Sequence, residues 1–202
     1  LTKGAIFVTC IIMKKTLYLL CLILLSQTLF AQEMPENPTL VSDLESSGEL
    51  KLKDGKPYSG EAYFLNEEGL PFTMNSYVNG KKEGLWRLWH RNGNLHMEGS
   101  KVDGIKDGQH KEYFENGKLK LEEHYDLGKK VGKWLEYRSD GSLFSEVNFR
   151  DDIKHGKSII YQEDGTERMT EVFENGRKIS SDRFKTSGGV NITTTRTPRE
   201  AK

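Results

Sequence analysis

Gln109–Phe114, then Glu115-Asn116-Gly117, then Lys118–Tyr125: this stretch decides the fold, because the chain writes it five times. Glycine stands at Gly60, Gly84, Gly108, Gly132 and Gly156, always 24 residues apart. Gly69, Gly93, Gly117, Gly141 and Gly165 repeat in phase, and Gly80, Gly104, Gly128 and Gly176 form a third column with Asp152 as its one departure. Lys82, Lys106, Lys130, Lys154 and Lys178 make a fourth column. Columns in phase without insertion mark a stacked repeat, and that outranks any local motif as a guide to the fold.

Glu68, Asn92, Asn116, Asp140 and Asp164 precede the second glycine column. Asn-Gly or Asp-Gly between alternating apolar residues signals a hairpin, since both residues tolerate positive φ. Each unit therefore reads as strand, tight turn, strand and a looser glycine turn. A three-residue loop with a G1 bulge at Gly69, Gly93, Gly117, Gly141 and Gly165 places Trp89, Tyr113, Tyr137 and Tyr161 on the face of Leu95, Leu119 and Leu143. The same alternation adds Met97, Leu121 and Met169, then Tyr77, Tyr125, Phe149 and Phe173, to that face. The expected fold is all-β: an elongated single antiparallel sheet of five stacked 24-residue β-hairpin repeats.

Units such as Tyr113-Phe114-Glu115-Asn116-Gly117-Lys118-Leu119, followed by Gly128-Lys129-Lys130-Val131-Gly132-Lys133-Trp134, resemble MORN repeats. They are most similar to the bacterial variant in the YwqK-type antitoxin family, over roughly Tyr58 to Ile179. The resemblance implies successive antiparallel hairpins in one twisted sheet, serving as a binding or scaffolding module.

Around the repeats the chain divides into further segments. From Met13 the pattern is that of a secretory signal: Lys14 and Lys15, then Leu17–Leu25 apolar, then Leu29-Phe30-Ala31 before Gln32. Residues 1–31 are expected to be this signal, with 1–12 an extension upstream of it. Nine apolar residues fall short of the ~20 that span a bilayer, so no spanning segment is expected in the mature chain. Cys21 lies inside the apolar run, where a lipid-attachment cysteine should end it. Cleavage removes Lys3, Lys14 and Lys15 and no acid, leaving 27 basic against 30 acidic residues, a net charge of −3. Such a chain carries no electrostatic footprint for nucleic acid. Both cysteines, Cys10 and Cys21, also leave, so packing alone must hold the mature fold. Residues 32–48 read as a linker, 49–179 as the repeat domain opened by a capping strand, and 180–202 as a disordered tail.

No sequence signature of a P-loop, dinucleotide fold, nucleophile elbow or paired-histidine helix appears. His90, His96, His110, His124 and His155 occupy five different repeat positions, and the closest candidates for joint metal binding are His110 and His124, expected diagonally across one hairpin; two ligands do not make a structural zinc site. Glu98, Glu122 and Glu146 recur at 24 residues on the face expected to oppose the aromatic column, whereas glycoside hydrolysis needs one asymmetric pair in a cleft. No catalytic residue, metal site or cofactor is expected. The lysine column offers two readings: hydrated turns that blunt association, or a ridge toward an anionic lipid or glycan. Trp86, His110 and Trp134 share one repeat position, and Phe114 and Phe144 project with them, which composes a candidate partner face. The alternative is that these rings pack across neighbouring hairpins and stiffen the sheet. The expectation is an exported, non-enzymatic protein-interaction or scaffold module of the cell envelope, found in periplasm, outer envelope or medium, with an unknown protein partner. The alternatives are an antitoxin that neutralises a toxin by binding, and a binder of an anionic surface.

Overall fold

A computed structural model describes residues 34–187 and 190–196. The signal expected over residues 1–31 lies outside them. Contacts divide the chain into two units, Leu1–Asn37 and Pro38–Lys202, and the fold described here is that of the second. Its strands are β1 (Thr39–Leu40), β2 (Glu45–Ser47), β3 (Leu50–Lys53), β4 (Lys56–Pro57), β5 (Gly60–Leu65), β6 (Pro71–Val78), β7 (Lys81–Trp89), β8 (Leu95–Val102) and β9 (Ile105–Tyr113). They continue as β10 (Leu119–Asp126), β11 (Lys129–Lys130), β12 (Gly132–Tyr137), β13 (Leu143–Arg150), β14 (Ile153–Tyr161), β15 (Glu167–Glu174), β16 (Arg177–Ser187) and β17 (Val190–Arg196). Fourteen of them form one open sheet in nearly sequential order, and β2, β3 and β4 form a separate small one. All pairs of the large sheet are antiparallel except β1 with β5. Among the described residues no helix is long and apolar enough to cross a membrane.

The two turns of each unit exchange the roles the sequence suggested for them. The turn ending at the Gly93 column is the three-residue one, with Gly93 N–H donating to the His90 carbonyl (3.0 Å) and His90 N–H to that of Asn94 (2.8 Å). Asn92, Asn116, Asp140 and Asp164 secure it, each accepting through its side chain from the N–H two residues on. The turn called looser is the tighter. Asn79-Gly80 has φ of 49° and 83°, and Asp103-Gly104, Leu127-Gly128, Asp151-Asp152 and Asn175-Gly176 likewise hold two successive positive values. With Val78 paired to Lys81 and Val102 to Ile105, these are two-residue hairpin turns of type I′.

The three-residue loop stands as expected, but a second irregularity follows it. Trp89 pairs Leu95 while Leu88 pairs Met97, so an extra residue enters each hairpin one step inside the loop. The same shift recurs at Tyr113, Tyr137 and Tyr161. One extra residue moves every later side chain to the other face. The expected single apolar face is therefore corrected to two. Tyr77, Trp86, Met97, His110, Leu121, Tyr125, Trp134, Phe149 and Phe173 share one, the ring face, while Trp89, Tyr113, Tyr137 and Tyr161 share the other. Glu98, Glu122 and Glu146 were expected opposite the Tyr113 column, and they lie beside it. The Tyr113 hydroxyl donates to Glu98 (2.8 Å), and Glu98 and Glu146 pair with Arg87 (3.5 Å) and Lys133 (2.8 Å).

Residues 32–48 are not simply a linker. β1 adds to the sheet, and Leu44 is buried with Ala62 and Tyr77, flanked by Val41 and Tyr58. This is the densest burial on the ring face, and it closes the row at Tyr77, as a repeat array requires of its end. The cap mimics a repeat. Tyr58 stands one period before Lys82, and its carbonyl accepts from Gly80 N–H (2.7 Å) as the Lys82 carbonyl accepts from Gly104 N–H (3.0 Å). The tail expected to be disordered over 180–202 instead carries strand through Ser187, and β17 pairs β16 from Ser187↔Val190 to Ser181↔Arg196. Thr193-Thr194-Thr195 has high strand propensity without any repeat column, so backbone pairing at an open edge builds what the period does not announce.

Candidate functional site: a lysine-roofed ring ladder

Along the ring face, Trp86, His110 and Trp134 on first strands and Tyr125 and Phe149 on second strands stand in one row. Trp86 meets His110 (5.7 Å between centroids), His110 meets Tyr125 (5.1 Å), Tyr125 meets Trp134 (5.4 Å) and Trp134 meets Phe149 (5.0 Å). The planes are inclined by 43° to 74°, edge-to-face for His110 and Tyr125 and tilted for the other three pairs, none of them a face-to-face sandwich. Thus the expected set Trp86, His110 and Trp134 is brought together, and its rings do pack across neighbouring hairpins.

Phe114 and Phe144 are not part of this row. They lie near the three-residue turns, Phe114 under the Lys120 ammonium (5.9 Å) and Phe144 under the Arg138 guanidinium (5.1 Å). Arg138 is held there, its guanidinium donating to the carbonyls of Leu143 (2.8 Å) and Tyr161 (2.5 Å). Gly69, Gly93, Gly117, Gly141 and Gly165 all take positive φ, between 77° and 92°. The expected proximity of His110 and His124 fails, because His110 pairs Glu123 and His124 pairs Gln109, which sends the two rings to opposite faces.

The lysine column finds its physical reason here. Lys106 lies over Tyr125 (4.6 Å), Lys130 over Trp134 (4.4 Å) and Phe149 (5.4 Å), and Lys154 over Phe173 (5.2 Å). A lysine of one unit thus roofs the ring of the next, a cation–π contact of about 0.5–2 kcal/mol. The sequence could show the column but not its target, because the bulge conceals which rings share its face. Glu123 joins this layer, accepting from the Tyr125 hydroxyl (3.2 Å) and lying 3.8 Å from Lys106. Burial first, and then the Glu123 carboxylate, push the Tyr125 phenol up to about 12.

His110 is the ladder's buried member, only 3% exposed. The main chain at Ser100 and Asp107 lies near enough to the ring to favour its charged form, though no contact reaches full hydrogen-bond geometry, and the Trp86 indole N–H has no partner. Burial, and next the neighbouring Lys106 charge, lower the His110 pKa from its ordinary value. Gly99 makes the room: a Cβ there would stand 2.2 Å from His110 Nδ1. By contrast the Trp134 indole donates to the His124 carbonyl (3.2 Å).

Three consecutive segments, residues 82–100, 106–127 and 130–151, match the family model described as MORN repeat variant. Residues 82–151 thus carry MORN repeats of the variant type. No curated protein matches the chain. A solved structure similar to it, a GtfA/B complex bound to UDP and GlcNAc, shares 12% identity over 84% of this chain and 29% of that chain, with a TM-score of 0.19. The chain thus spans under a third of that structure's length, and a likeness at this score carries no argument about fold or function.

Proposed function

We propose that this MORN-repeat protein is an exported, non-enzymatic interaction or scaffold module of the cell envelope, and that its ring face receives a protein partner. Repeats of this class generally serve as protein- or membrane-binding modules. The observation that carries the reading is the ladder from Trp86 to Phe149. Among the described residues, the elements outside the large sheet pack on Ala62 and Tyr77 at its beginning, leaving Trp86, Tyr125, Trp134 and Phe149 half-buried. Half-buried aromatic rings beside cations have the composition of an interaction surface. Export rests on the charged and apolar pattern of Met13–Ala31.

Trp134→Ala tests the surface. Loss of partner capture by about 2 kcal/mol with an unchanged melting temperature supports the reading. Early melting equivalent to about 3–5 kcal/mol, with partner binding intact, reduces the ladder to packing. For export, the mature amino terminus is sequenced from the envelope and medium. A start at Gln32 supports it, and full-length protein confined to the cytosol favours the antitoxin alternative.

A further inference from the structure

The repeats set their own standard for what each position holds, and the first unit departs from it at one end. Among the described residues, the exposed large apolar side chains at the three-residue loops all belong to that unit: Phe64 is 55% exposed, Leu70 43% and Phe72 42%. At the position of Leu70 the other units have Asn94, Lys118, Ser142 and Thr166, all polar. At the position of Phe72 stand His96, Lys120, Phe144 and Arg168, and Phe144 lies under the Arg138 guanidinium (5.1 Å). The first unit has Asn66 where that arginine stands, and the Asn66 side chain accepts from the Glu68 and Leu70 N–H groups (3.0 and 2.9 Å). Phe72 therefore lacks the cation of its own hairpin. It meets Phe64 edge to face instead, with centroids 6.3 Å apart and planes at 67°.

The same place is an open edge of the sheet. β5 runs to Leu65, yet β1 pairs only with its Ala62 and Tyr63, through Thr39 and Leu40. The cap then leaves the edge as a short helical turn, Val41–Asp43, and seats Leu44 with Ala62 and Tyr77. Among the described residues, Phe64 and Leu65 thus have a strand neighbour on one side alone, at Thr73 and Pro71 of β6. Pro71 has no N–H to give, which weakens that side too. An unpaired edge beside exposed rings is a template for another strand, and β1 shows that this edge accepts one. Glu67 and Glu68 rim the place, both exposed and, among the described residues, without an ion-pair partner.

We infer that the loop end of the first hairpin docks an extended protein segment that alternates apolar and basic residues. The segment continues the pairing of β1 along Phe64 and Leu65. It packs an apolar side chain on Phe64 and Phe72 and sets a lysine or arginine against Glu67 and Glu68. Main-chain bonds give such a contact its affinity, and the alternate side chains give it specificity. A second copy of this chain is the poorer occupant, since a two-fold contact would bring two sets of Glu67 and Glu68 together. The site goes beyond the ladder, for it shares no residue with the row from Trp86 to Phe149 and does not rest on it.

The test uses the purified protein and a synthetic peptide of alternating valine and lysine, followed by amide NMR shifts and by sedimentation. Saturable shifts centred on Phe64, Leu70 and Phe72 are expected. A peptide with glutamate in place of lysine should bind about tenfold more weakly, and so should one interrupted by proline, which removes a main-chain donor. Phe72→Lys and Leu70→Asn install residues that the third and second units carry, so the hairpin should keep its fold. Each should weaken binding of the valine–lysine peptide about tenfold. Glu67→Gln with Glu68→Gln should narrow the gap between the lysine and glutamate peptides. Lys130→Met, on the ladder, should leave binding unchanged. Absence of saturable shifts, equal binding of the two charged peptides, or equal binding by wild type and Phe72→Lys overturns the site. A loss in Lys130→Met as large as in Phe72→Lys would move the contact to the ladder. Self-association that Phe72→Lys abolishes would give the patch to a second copy, and either result overturns the inference.

Discussion

Leu127 is the place where the repeat works against its own geometry, and changing it to asparagine should stabilise the protein. The five type I′ turns put Asn79, Asp103, Leu127, Asp151 and Asn175 at positive φ, from 44° to 49°. Four of these are Asn or Asp, whose short polar side chains tolerate that region, while leucine there brings its Cβ against the following carbonyl at about 1–2 kcal/mol. Leu127 is 61% exposed, so replacing it forfeits little burial. Its N–H donates to the Asp107 carboxylate (3.0 Å), a bond that any L-residue keeps. Leu127→Asn should therefore gain about 1 kcal/mol, equivalent to a rise of roughly 2–4 °C in melting temperature for a chain of this size. Asn175→Leu, the reciprocal change two units on, should lose a similar amount. Urea unfolding followed by tryptophan fluorescence reads both, as opposite shifts of midpoint at unchanged slope. If Leu127→Asn is neutral and Asn175→Leu is too, the two-residue turn is not the one the protein makes.

Other consequences can be measured on the same footing. Gly117→Val places a β-branched residue at φ 79° and should cost about 1–3 kcal/mol in urea, while Lys118→Val beside it should cost well under 1 kcal/mol. Lys130→Met removes the cation from above Trp134 and Phe149 and should lose about 1 kcal/mol, with a change in tryptophan emission. His110 has its folded pKa below its unfolded one, so the unfolded chain takes up the proton first. Its contribution to stability is whole above about pH 6.5 and is lost as pH falls through the folded pKa. The groups around it (Lys101, Lys106, Glu123, Tyr125 and Trp86) include two cations that oppose its charging, and His110→Phe should flatten the fall in melting temperature over that range.

What the sequence made legible is what side-chain chemistry enforces. Positive φ favours glycine, asparagine or aspartate, so the turns wrote themselves as columns, and Asp152 shows how far the preference stretches. It holds φ 67° where the other units have glycine, and its carboxylate accepts from the Lys130 N–H at 2.8 Å. The bulge beside each three-residue loop left no comparable mark, because an extra residue between Trp89 and Met97 demands no residue type. From that one unmarked step came the misplacement of both aromatic rows and of Glu98, Glu122 and Glu146. The cap and the last two strands escaped for a different reason. Leu44 is buried by tertiary packing, and β17 is built by backbone pairing, and neither event needs the period.

The same distinction explains how a site can be written into a repeat without breaking it. The unit is held at its edges by bonds to main-chain carbonyls, from the backbone at one edge and from asparagine side chains at the other. Gly104, Gly128, Asp152 and Gly176 each donate an N–H to the lysine carbonyl 22 residues earlier, at 2.7–3.0 Å. At the other edge, the Asn92 and Asn116 amides donate to the carbonyls of Glu115 and Ser139, 23 residues on, at 3.0 and 2.9 Å. An insertion or deletion inside any unit would break one of these ladders, and the five units accordingly contain none. Side chains on the ring face carry no such duty. Lys101 can replace a ring, and His110 an indole, at the cost of local packing while the backbone ladders on either side stay closed. Function in this fold is therefore to be sought where a unit departs from its neighbours at unchanged spacing, which is the condition that the first unit meets at Leu70 and Phe72.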